Sequence, residues 1–135
     1  MDLQMAIFES KMKGHCCSQI IMDLALTEMN LDNPGLISAM KGLCNGLQLG
    51  SICGTLSAAT CLFFMLDPEK AAQSMNQELA DWFEETFGCL ECARILEGDP
   101  LARVDTCPLI IERTYEKVVE ILLDHGIFLD GQADL

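Results

Sequence analysis

Positive charge is scarce in this chain. Eight lysines and arginines face 21 aspartates and glutamates, for a net charge of −13. Nucleic-acid binding rests on Lys and Arg neutralising phosphates, so the balance argues against that role. An anionic membrane surface is disfavoured for the same reason. Histidine is scarcer still, with two residues. No Ser–His–Asp set suggests itself, and the carboxylates fall on faces predicted to be wet, so a conventional hydrolase is not expected. Whether the chain is an enzyme of another kind is open at this level. Long apolar runs are also missing. The longest, "ICGTLSAATCLFFML" from Ile52 to Leu66, is shorter than the ~20 residues of a spanning helix and reads as a buried one. The start "MDLQMAIFESKMKG" lacks the basic residues, apolar run and small-residue cleavage site of a leader. The expectation is a cytoplasmic protein with no membrane partner.

What is present is apolar and helical. Half of the 135 residues are hydrophobic, enough for one globular domain over residues 1–135 with a core of its own. Cys17, Ile20, Leu24 and Glu28 follow helical spacing, with Ile21 and Ala25 widening the apolar side, over about 16–29. "LDNPG" breaks that helix, and a short one carrying Ile37 and Met40 follows. A third begins near Ser51 or Ile52. Asp67 caps the next, with Pro68 in its first turn and a stripe of Ala72, Met75, Leu79, Trp82, Phe83 and Thr86; Gly88 ends it. "CLECARILEG" gives a short helix closed by Gly98. The last is capped by Thr106 or Cys107, carries Pro108 in its first turn, and presents Ile111, Tyr115, Val118 and Leu122 to the core before Gly126. Nothing alternates convincingly with period two. The fold class is all-α, a compact bundle of about five to seven helices.

Cysteine is abundant, with eight residues. In a reducing cytosol that density points to metal binding or redox work, not to staples. Cys16 and Cys17 open the first long helix, Cys53 the third, Cys89 and Cys92 the short one, and Cys107 the last. Backbone N–H groups and partial positive charge at helix starts stabilise a thiolate, which is both the nucleophile and the metal ligand. Any one of these cysteines can be ordinary core packing; as a set they read as functional. "CLEC" places Cys89 and Cys92 at i and i+3, in reach of one metal or of each other. "HCC" adds His15 as a further ligand, whereas His125, at a helix end, reads as structural. The methionines Met22, Met29, Met40 and Met75 fit apolar stripes and read as core, not as copper ligands. In "GLCNGLQLGSICG", Gly42, Gly46, Gly50 and Gly54 recur at every fourth place. No G-K-[ST] follows, so a phosphate loop is discounted. A bared helix face stays open as a reading. The preferred one is a compact loop that must approach something closely before delivering Cys53.

These residues resemble the C-GCAxxG-C-C family, small helical proteins whose redox activity is inferred from four characteristic cysteines. "GHCCSQII" is similar to its opening motif and places Cys17 first. "GSICGTLSAA" resembles its central element and places Cys53 second, with Thr55 and Ala58 where the family has alanine and glycine. "FGCLECARIL" places Cys92 third, and "CPLIIERTYEKVVEIL" supplies Cys107. The resemblance implies a thiol redox protein in which Cys17, Cys53, Cys92 and Cys107 form the reactive set. Within it, Cys53 is expected as the attacking thiolate and Cys92 as its resolving partner, exchanging through a mixed disulfide with a partner protein or small thiol. Two other readings remain. The same four sulfurs could ligate a metal or iron–sulfur cluster, with Cys16, Cys89 and His15 as additional ligands. Or the thiols are inert in a structural or interaction domain. One function requires one place, so the four sulfurs are expected to meet at one end of the bundle. The tail "GIFLDGQADL" brings Ile127, Phe128 and Leu129 beyond a helix stop. It must dock on its own core or on a second copy, which would make a homodimer.

Overall fold

The computed structural model describes residues 2–96 and 103–131, the side chains of 103–105 excepted. Seven helices form among the described residues, and no strand: the all-α expectation holds. They are α1 (Leu3–Met12), α2 (Cys17–Met29), α3 (Pro34–Met40), α4 (Gly54–Leu66), α5 (68–87), α6 (Cys92–Ile95) and α7 (Arg103–Asp124). In α5 the stretches Pro68–Lys70, Ala71–Met75 and Asn76–Phe87 run on without a break.

Helix α2 is the axis of the core. It buries Ile20, Ile21, Met22, Leu24, Ala25, Leu26 and Met29, and its largest interface is with α4. Ala58 and Ala59 of α4 are fully buried, and their small side chains let the two helices lie close. Helix α7 closes the other side with Ile111, Tyr115, Val118 and Leu122, all buried as the stripe predicts. The Tyr115 hydroxyl donates to Glu28 Oε1 at 2.7 Å. Burial, then the hydrogen bond and charge of Glu28, raise its pKa far above the ordinary phenol range. A buried hydroxyl so paired is what an aromatic core position requires.

The boundary signals hold where a side chain makes them. Asn33 and Asp67 cap α3 and α5 by accepting from the N–H groups of Leu36 and Lys70, both at 3.1 Å. Gly88 ends α5 with φ +88°. Elsewhere the structure corrects the pattern. The α5 stripe begins at Ala71, not Ala72, because the turn over Ala71–Met75 is a π-helix. Its wider turn spaces the buried residues as Ala71, Met75, Leu79 and Phe83. Thr86 is exposed. Helix α7 starts at Arg103, so Cys107 lies inside it and Pro108 is an interior proline. Gly98 lies outside the described residues. Helix α1 precedes everything the apolar spacing marked; Met5, Phe8 and Met12, which would have signalled it, are exposed. The tail docks on its own core: Leu129 is buried and Ile127 packs against the cluster, while Phe128 is 56% exposed.

Candidate functional site

The segment between α3 and α4 holds the site's unusual backbone. After a 3₁₀ turn over Lys41–Leu43, Asn45, Gly46, Leu47 and Gln48 all take left-handed conformations, with φ of +54°, +56°, +59° and +63°. Three of the four carry side chains, and each such residue costs ~1–2 kcal/mol. The turn is held by Ser51 N–H donating to the Gly46 carbonyl (3.0 Å) and by the Gln48 amide donating to the Lys41 carbonyl (3.0 Å). A Cβ on Gly46 would fall within the backbone of Ser51, and one on Gly54 would stand 2.6 Å from the Leu43 carbonyl oxygen and 3.1 Å from Cys17 Sγ. Close approach is therefore the reason for these two glycines. A side chain at Gly42 would meet open space, so the fourfold spacing itself carries no meaning.

The turn delivers residues 51–53 to a backbone bridge that no alternation announced. Ile52 pairs antiparallel with Glu91. Cys53 N–H donates to the Leu90 carbonyl (2.8 Å) and Cys92 N–H to that of Ser51 (2.7 Å). Side chains alternate across such a bridge. Ile52 and Glu91 face outward and are exposed, whereas Cys53 and Cys92 are both buried. Cys53 then caps α4 and Cys92 opens α6.

Cys17, Cys53, Cys92 and Cys107 line one small cavity of about 10 Å³, together with Thr55, Ile95, Leu96 and Ile110. That is room for about one water. Beside it lies an open cavity of about 260 Å³. Cys17, Cys92 and Cys107 line both, and the outer one adds Cys16, Cys44, Asn45, Lys11 and His15 to its wall. Cys92 Sγ donates to Asn45 Oδ1 at 3.8 Å. His15 Nδ1 lies 3.0 Å from Ser10 Oγ, which donates to Asp23 Oδ2 at 2.8 Å. With the Ser10 hydroxyl directed at Asp23, its oxygen can accept from His15 Nδ1 in the tautomer protonated there.

Cys16 and Cys44 form a disulfide, with Cα atoms 6.2 Å apart. So Cys16 is not a thiol beside the set but half of a bridge. Cys61 and Cys89 line neither cavity. Cys89 lies between the end of α5 and the start of α6, so it does not share a helix with Cys92.

At Cys53 burial opposes the activation expected from the helix start. Burial pushes its thiol from 9.0 up to about 12; the N–H groups of Leu56 and Thr55 at the helix start pull the other way, and the sulfurs of Cys17 and Cys92 add to the rise. The residue is 6% exposed, and the loss of water outweighs the helix start. Burial therefore argues against Cys53 as the attacking thiolate. Cys17, a partly exposed free thiol in the wall of both cavities, is better placed. As for a metal, no group of three or more His, Cys, Asp or Glu side chains among the described residues is arranged to hold one. The shared cavity alone does not make the four sulfurs a ligand set.

Cysteines from four separate segments of a helical bundle, converging on one cavity, define a cysteine-clustered all-α protein. The family described as "Putative redox-active protein (C_GCAxxG_C_C)" matches residues 15–121, and the chain belongs to it. No curated protein and no solved structure matches the chain. No helix among the described residues is long and apolar enough to cross a membrane.

Proposed function

We propose that this protein carries out thiol–disulfide exchange at the cavity of Cys17, Cys53, Cys92 and Cys107. The observation that supports it most is the shared cavity itself, lined by cysteines spread over ninety residues of chain. Cys17 as thiolate attacks one sulfur of a partner disulfide; a mixed disulfide forms and the partner's other sulfur leaves as thiolate. A second cavity cysteine then attacks Cys17 Sγ, releasing the partner's remaining thiol and closing an internal disulfide. Cys53, in the same cavity as Cys17, takes this second, resolving role, and its proton passes to the partner sulfur that leaves. The outer cavity, with Lys11 and His15 in its wall, has room for a small disulfide or an extended partner residue. A cytoplasmic setting belongs to the same proposal, as does a homodimer, for which the exposed Phe128 of the docked tail is the remaining ground.

The test is exchange with oxidised glutathione under anaerobic conditions, followed by intact mass. The expected sequence is a transient adduct on Cys17 and then its loss with formation of an internal disulfide. Adducts confined to Cys61 or Cys89 would remove the reading.

A further inference from the structure

The Cys16–Cys44 bridge lies outside the four cysteines of the proposed function, and two observations set it apart from a structural staple. First, it forms part of the wall of the outer cavity together with Cys17, Cys92 and Cys107. Cys17 is adjacent to Cys16 in the chain. Its Sγ and the Leu43 carbonyl both crowd the same face of Gly54, which brings the thiol to the residue before Cys44.

Second, each sulfur of the bridge faces an oxygen suited to accept a proton from it. Cys44 Sγ lies 2.8 Å from Ser18 Oγ, and Cys16 Sγ lies 3.4 Å from Gln19 Oε1. Ser18 is fully buried, and its single hydroxyl proton goes to the Met40 carbonyl at 2.6 Å. The Gln19 oxygen already accepts from Cys16 N–H at 3.1 Å and its amide nitrogen donates to the Ile37 carbonyl at 3.0 Å. Both acceptors are thus fixed in place by other bonds. A disulfide sulfur carries no proton and cannot use them; a thiol can. Each oxygen keeps its other partner when the pair is a disulfide and gains a donor when the pair is reduced, so the surroundings of this pair are complementary to its reduced form.

We propose that Cys16 and Cys44 are a second working redox couple, which takes an electron pair from Cys17 and Cys53 by exchange inside the cavity. Cys17 thiolate attacks Cys44 Sγ, forming a Cys17–Cys44 bond and releasing Cys16 as thiolate. Cys53 then attacks Cys17 Sγ, forming Cys17–Cys53 and releasing Cys44. The two protons lost by Cys17 and Cys53 end on Cys16 and Cys44. One disulfide is broken, one is made, and no outside oxidant is required. The inference rests on the exchange reading of the cavity and adds to it a resident acceptor, so that one chain can hold two disulfide equivalents.

The experiment uses the full chain with a single disulfide. Fully reduced protein is treated anaerobically with one equivalent of diamide, which takes up two electrons and two protons. It is then held for increasing times, acid-quenched, alkylated and mapped by mass spectrometry. Both Cys16–Cys44 and Cys17–Cys53 are expected, approaching a constant ratio with time. In Ser18→Ala, which removes the acceptor waiting for the Cys44 thiol, the ratio should move about fivefold toward Cys16–Cys44, the equivalent of one hydrogen bond. Wild type carrying Cys16–Cys44 alone at every time, or an unchanged ratio in Ser18→Ala, overturns the inference. Failure of the exchange reading shows elsewhere, as a lack of any glutathione adduct on Cys17.

Discussion

Alkylation of Cys53 separates the two forces that meet at this residue. The helix start favours a thiolate, burial disfavours it, and burial prevails, with the thiol raised from 9.0 to about 12. Three decades in acidity mean that near neutral pH the thiolate is about a thousandfold rarer than at an ordinary cysteine. With 6% exposure, access slows the reaction further. The assay is limited iodoacetamide labelling at a series of pH values with site-resolved mass mapping, beside the same protein in urea. In the folded protein Cys53 should label more slowly than in urea by on the order of a hundredfold or more, since a more basic thiolate is also the better nucleophile. Its rate should keep rising tenfold per pH unit beyond pH 9, where the unfolded chain levels off. Stability follows the same linkage. The fold favours the protonated thiol, so the contribution is whole below pH 9.0 and fades as pH climbs toward 12, by about 4 kcal/mol at most. Cys53→Ala should flatten that alkaline decline. Labelling as fast in the fold as in urea would refute the reasoning and return Cys53 to the attacking role.

Three further outcomes are expected. Gly54→Ala forces a Cβ to within 2.6 Å of the Leu43 carbonyl and should destabilise by ~1–3 kcal/mol in urea denaturation; a neutral variant would mean that α4 does not approach the turn so closely. Leu47→Gly, at φ +59° and 49% exposure, should stabilise by about 0.5–1 kcal/mol, because relief of the left-handed strain exceeds the extra chain entropy; a loss of stability would contradict the left-handed turn. In light scattering the proposed homodimer should give twice the mass of 14.9 kDa, and a single-chain mass at every workable concentration would dismiss it.

The fold was legible wherever one residue makes the signal. Asn33, Asp67 and Gly88 mark their boundaries because caps are local, and the α7 stripe is regular over several turns. Helix α1 escaped because Met5, Phe8 and Met12 face outward, so its apolar spacing marks no buried side. The start of α7 escaped because Pro108 reads as a first-turn residue, although tertiary packing carries the helix through it. For the site, the four cysteines that the family resemblance singles out line one cavity. What brings Cys53 and Cys92 together, one antiparallel bridge between Ile52 and Glu91, is too short to leave a period in the sequence. The Cys16–Cys44 pairing is likewise a matter of where α2 and the turn meet in space. Burial opposes the activation expected at Cys53 for a related reason: a helix start can be read locally, whereas the burial of a residue at a helix end depends on which distant segments pack over it.

The central claim is that Cys17, Cys53, Cys92 and Cys107 act as one redox set. Disulfide mapping of wild-type protein, first fully reduced and then taken to equilibrium in glutathione buffers of rising potential, tests it most directly. The account predicts an internal disulfide that joins two of these four and forms in a single two-electron step. Four cysteines that stay reduced while Cys61 and Cys89 collect glutathione would contradict it.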